Sequence, residues 1–111
     1  MRCRDLAQRI ETSEPSADTS EVARLCLLMT NLVDNVKLLE EEATLSNVLR
    51  DASLRLHAAT DQHSAMTGEL EELAKTDPKQ FDREQIWVLL RAIKVQSQIL
   101  QMYMGGEVID V

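Results

Sequence analysis

The residues able to do chemistry in this chain are few. They are His57 and His63, Cys3 and Cys26, and the carboxylates of Glu40, Glu41, Glu42, Glu69, Glu71 and Glu72. On a helix, two histidines six residues apart do not share a face, so a metal site there needs further ligands. His63 falls on an apolar seam, where a polar side chain usually specifies a layer rather than binding anything. The cysteines have no metal spacing and no histidine at a useful helical distance, which argues against a Cys–His nucleophile. Cys26 reads as a buried free thiol. Consecutive glutamates point in different directions around a helix and read as a solvated face; docking to a basic partner is the sharper alternative. No Gly-rich phosphate loop, nucleophile elbow or zincin motif occurs. No catalytic, metal-ligating or cofactor-binding residue is assigned, and the chain is expected not to be an enzyme.

Length and composition set the frame around these side chains. The 111 residues allow one domain, and the formal net charge of −7 argues against nucleic acid as a direct ligand. Apolar residues make up 44%, which is ordinary for a folded protein and argues against wholesale disorder. Phe81, Trp87 and Tyr103 are the only aromatics. Three glycines, with Pro15 and Pro78, leave little turn chemistry for hairpins of strands. No signal-like run or membrane-length apolar segment is present, so a cytoplasmic or nuclear location and no membrane insertion are expected.

The pattern along the chain is helical. Residues 1–17 read as a flexible lead-in, in which Leu6, Ala7 and Ile10 make at most one helical turn. Asp18, with Glu21 three residues on, marks a helix start. From there to Lys75 apolar residues recur at spacings of three and four. One run is Val22, Leu25, Met29, Leu32, Val36, Leu39, Ala43. The next is Leu45, Leu49, Ala52, Leu56, Ala59, His63, Met66, Leu70, Leu73. Each is a heptad seam, and the second is one residue out of phase with the first. Two readings fit. A continuous helix about 87 Å long could absorb the slip by a change in winding. Alternatively, Thr44 or Ser46 could cap a new helix at residues 44–47. The absence of Gly and Pro there favours continuity.

Asp77 and Pro78, with Gln80, form a second helix start, and Gly105 suits the left-handed end of that helix. The short interval at 75–78 predicts a helical hairpin. The fold class is therefore all-α: a long heptad-patterned helix and a C-terminal helix folded back on it, as a coiled-coil or bundle. Residues 18–104 form the helical domain, and residues 105–111 a flexible tail.

The last helix carries two apolar stripes. One is Ile86, Leu90, Ile93, Ser97, Leu100, Met104, and the other is Val88, Ala92, Val95, Ile99, Met102. They lie about 200° apart around the helix. One hairpin partner covers only one of them, so the other requires a further surface. Charge agrees: residues 78–104 carry four bases and two acids, whereas residues 18–76 carry eleven acids and five bases. Trp87 and Tyr103 lie between the stripes, where core packing competes with an interface-anchor role. The partner-binding set expected from sequence is Trp87, Val88, Leu90, Ile93, Val95, Ile99, Met102 and Tyr103.

The tail Glu107-Val108-Ile109-Asp110-Val111 resembles the SUMO-interacting motif, a Val/Ile run with an embedded acid that adds a strand to a sheet edge. The resemblance implies Val108, Ile109 and Val111 as apolar anchors and Asp110 as the acid. Ile109 and Val111 also resemble the C-terminal pattern read by some PDZ domains. In composition the chain is similar to the short acidic helical subunits of vesicle-adaptor, kinetochore, meiotic-chromosome and autophagy assemblies.

These features predict a non-enzymatic helical interaction or scaffold subunit that completes a bundle with itself or with other chains. The alternative is a small helical chaperone or inhibitor masking one partner's helix. Binding to a membrane surface by an amphipathic helix fits poorly, because the apolar stripes are flanked by acids rather than by Lys and Arg.

Overall fold

The computed structural model describes residues 1–105, and the expected tail motif at Val108, Ile109, Asp110 and Val111 lies outside them. The fold is all-α, with helices packed against one another, and the described residues contain no strand. Four α-helices follow in order: α1 (Cys3–Ser13), α2 (Thr19–Leu32), α3 (Glu42–Leu73) and α4 (Arg83–Met104). Short 3₁₀ turns at Val36–Glu40 and Pro78–Gln80 precede α3 and α4. Two compact units divide the chain, Met1–His57 and Ala58–Val111, and the boundary falls inside α3.

The first unit holds most of the buried apolar side chains. Leu6 and Ile10 come from α1. Val22, Leu25, Leu28 and Met29 come from α2. Leu39 comes from the 3₁₀ turn, and Leu45, Leu49 and Ala52 come from α3. The lead-in expected at residues 1–17 is thus corrected. Leu6 and Ile10 sit one helical turn apart, and burying both against α2 repays ordering the segment. The helix starts where the Arg2 amide donates to Asp5 Oδ2 at 3.1 Å and stops before Pro15.

Asp18 caps α2 as expected, its Oδ1 accepting from the Glu21 amide at 2.8 Å. The expected continuous helix then breaks, neither by a winding change nor at residues 44–47. α2 ends at Leu32, Val33 is extended, and Asn35 Oδ1 accepts from the Lys37 amide at 3.0 Å to start the 3₁₀ turn. An asparagine that bonds its own nearby backbone offers the chain an alternative to the helical ladder. Residues 44–47 lie within α3. The phase slip therefore marks two separate helices rather than one rewound helix. Val36 and Ala43, assigned to the first seam, are exposed, whereas Leu39 is buried by a different backbone route.

Arg9 holds this break in place. Its guanidinium donates to the carbonyls of Leu39 and Glu40 at 3.0 and 3.2 Å and stands 3.8 Å from the Glu42 carboxylate. These are peptide oxygens that the interrupted helix leaves without amide partners. The Met1 amine donates to Glu40 Oε1 at 2.9 Å, and this bond holds the Glu40 carboxyl below its ordinary range. Replacing Arg9 by Met keeps the aliphatic stem and removes the donors. Chemical denaturation should then show a loss of about 1–3 kcal/mol, only partly recovered by Arg9→Lys. An unchanged midpoint would remove the guanidinium as the clasp.

In the second unit the end of α3 and α4 form an antiparallel hairpin. His63, Met66, Thr67 and Leu70 face Ala92, Val95, Gln96 and Ile99 across a narrow cleft. Nearer the turn, Leu73 and Thr76 face Val88 and Gln85. The start of the last helix is later than expected. Asp77 does cap a turn at Pro78, with Oδ1 accepting from the Lys79 amide at 3.0 Å, but that turn closes after Gln80. Asp82 then starts α4 by a reciprocal cap with Gln85, at 2.8 Å and 2.9 Å. Gly105 ends α4 with φ 74° and ψ 173°, a positive-φ conformation open to glycine but distinct from the left-handed helical end expected, and its amide donates to the Gln101 carbonyl at 2.9 Å.

Candidate interaction face on the last helix

The two stripes of α4 have different fates. Val88, Ala92, Val95 and Ile99 line the hairpin cleft; Ala92 is buried and the other three are half-buried. Met102 lies on the same side by helical spacing and is half-buried. The opposite stripe is open. Ile86, Trp87, Ile93, Leu100 and Met104 are 49 to 77% exposed, and Leu90 between them is half-buried. Tyr103 is half-buried.

The expected partner-binding set is therefore split. Val88, Val95, Ile99 and Met102 belong to the side on which α4 packs within its own unit. Trp87, Leu90 and Ile93 belong to the outer face. Ile86, Leu100 and Met104 are members of that stripe by the spacing 86, 90, 93, 97, 100, 104, and the structure adds them to the exposed face. Which stripe faces outward depends on how α3 meets α4.

Charge is arranged unevenly around this face. Arg83, Trp87, Arg91 and Lys94 recur at spacings of four, four and three, and so form one edge of the outer stripe. No acid occurs between Gln85 and Gly105. A shallow hollow lined by Glu84, Trp87, Val88 and Arg91 opens beside this edge, with a volume of about 330 Å³. Arg83, Trp87 and Arg91 are exposed, and Lys94 is half-buried.

The chain matches no family model, no curated protein and no solved structure.

The residues with chemical potential do not converge. Among the described residues, no group of three or more His, Cys, Asp or Glu side chains is placed to hold a metal ion. His63 is exposed at the mouth of the hairpin cleft, not buried in a seam layer. Cys26 is half-buried and Cys3 exposed. Burial, with smaller contributions from Cys3 and Glu11, raises the Cys26 thiol above its ordinary range, which makes it a weaker nucleophile at neutral pH. Near the hairpin turn, Glu69 and Glu72 border a hollow of about 370 Å³ with Leu73, Thr76, Gln85 and Val88. Glu69 Oε2 there is buried without a hydrogen-bond partner. Among the described residues no helix is long and apolar enough to cross a membrane.

Proposed function

We propose that this chain is a non-enzymatic helical interaction subunit whose α4 completes a bundle with a helix from another chain. The observation that carries this reading is the outer stripe: five large apolar side chains about half exposed or more along one helix of 22 residues. Scattered exposed apolar side chains are normal, whereas a row on one helix face marks a docking surface. Burying what remains exposed of each contributes roughly 1 kcal/mol, or about 5 kcal/mol for the row. That is near the lower range of what association costs in lost freedom, so the face suits reversible, partner-assisted docking. The opposite stripe supports the same reading, because it already occupies α4 within its own unit.

Ile93→Asp tests the reading. The side chain is exposed, so the helix should persist by circular dichroism, while a charge in the middle of the stripe removes docking. In sedimentation from extract, the unaltered chain should run as part of a larger assembly and the variant as a folded monomer. A chain that sediments as a folded monomer both pure and in extract would remove the proposal.

A further inference from the structure

We infer that the outer face of α4 takes an amphipathic helix of a different protein whose apolar seam is edged by carboxylates. This rests on the docking role proposed above and adds the chemistry of the occupant. The outer stripe keeps the four–three spacing of a coiled-coil seam from Ile86 to Met104, which selects a helix as the mating shape. Its edge is basic: Arg83 and Arg91 flank Trp87, Lys94 continues the row, and no acid follows Glu84 in α4. A helix seated on the stripe places its own edge residues against this row. Carboxylates there are favoured and ammonium groups are opposed. At physiological ionic strength the screening length is about 8 Å, so these nearby bases outweigh the net charge of −7 carried by the rest of the chain.

The same pattern disfavours a second copy. An antiparallel pair of α4 helices in full overlap matches Ile86 with Met104 and Leu90 with Leu100. It also sets Ile93 against Ser97 and Lys94 against its own duplicate. A parallel pair sets Arg83 against Arg83 and Ser97 against Ser97 within the seam. Each arrangement places like charges or a hydroxyl where apolar contact is needed. An anionic lipid surface is also a weaker fit. The seam is narrow, and bases border it on one edge only, whereas helices that lie on anionic membranes carry Lys and Arg across their polar face.

The test uses the full chain and two synthetic helical peptides with one shared Leu/Ile seam, edged by Glu in one and by Lys in the other. Trp87 is the single tryptophan, so its emission reports occupation of the face directly. The Glu-edged peptide should shift that emission to the blue and bind about tenfold tighter than the Lys-edged one at low salt, with the gap closing as salt rises. Arg83→Glu with Arg91→Glu should invert the preference, and Ile93→Asp should abolish binding of both. Equal binding of the two peptides would overturn the acidic occupant while leaving α4 a docking helix. Concentration-dependent self-association that buries Trp87 and competes with both peptides would assign the face to a second copy. Tighter binding to phosphatidylserine vesicles than to the Glu-edged peptide would assign it to a membrane. A folded monomer that binds none of these would overturn the docking role as well.

Discussion

Leu39→Ala should unfold the first unit far more readily than Leu38→Ala. The two leucines are adjacent on one 3₁₀ turn, yet Leu39 is 0% and Leu38 49% exposed. Removing three buried carbons at Leu39 forfeits their transfer energy and leaves a cavity, about 2–5 kcal/mol together. Domains of this size are commonly stable by about 5–15 kcal/mol, so that loss moves a urea midpoint substantially. The Leu38 change should stay within about 0.5 kcal/mol. Urea titrations followed by circular dichroism compare the two directly. Equal midpoints would mean that the 3₁₀ turn does not anchor the core of the first unit. Leu39 is also the residue whose carbonyl receives Arg9, so its side chain and backbone hold the turn from opposite ends.

Ala92→Asp should disrupt the α3–α4 hairpin, whereas Ile93→Asp one position on should leave it intact. Ala92 is 5% exposed and faces the cleft opposite Met66 and Leu70, with no Lys or Arg among the residues lining that cleft and His63 exposed at its mouth. A carboxylate there is both too large and unpaired, at a cost of about 3 kcal/mol or more. Ile93 is 56% exposed, and a charge at that position remains hydrated. Thermal unfolding by circular dichroism, with Trp87 emission as a reporter on α4, separates the two variants. Val95→Asp or Ile99→Asp should fall between them, since both side chains are half-buried in the same cleft. Should Ala92→Asp fold as well as Ile93→Asp, the assignment of inner and outer stripes would be reversed.

Much of the fold was legible in the sequence where local chemistry and apolar spacing agree. The seam from Leu45 to Leu73 maps onto α3, and five of its nine members, Leu45, Leu49, Ala52, Ala59 and Leu73, are buried. The Asp18 cap and the glycine that stops α4 are where their residue types place them, although Gly105 takes an extended positive-φ conformation rather than the left-handed helical one. The break at 33–41 was harder to see. Its signal is Asp34-Asn35, a pair that favours capping but also occurs on exposed helix faces, and no Gly or Pro marks the turn. α1 was missed because an isolated helix of eleven residues is marginal in water, and burial against α2 supplies what its own propensity lacks. The start of α4 moved from Pro78 to Arg83 because two capping signals, Asp77 and Asp82, stand five residues apart. The one with a reciprocal glutamine opens the longer helix.

The candidate site divides in the same way. By itself the sequence determined that α4 has two apolar stripes, a basic edge beside Trp87 and no acid after Glu84. These are consequences of residue spacing at 3.6 per turn and need no partner to be true. Only the tertiary structure decided which stripe is already occupied. A helix with two equivalent apolar sides can dock on α3 by either, and the packing of Leu70 and Leu73 against Ala92 and Val88 selects one. The small side chain of Ala92 is buried in the cleft between the two helices. The bulkier Ile86, Trp87, Ile93, Leu100 and Met104 are left outward, where they remain open to a partner.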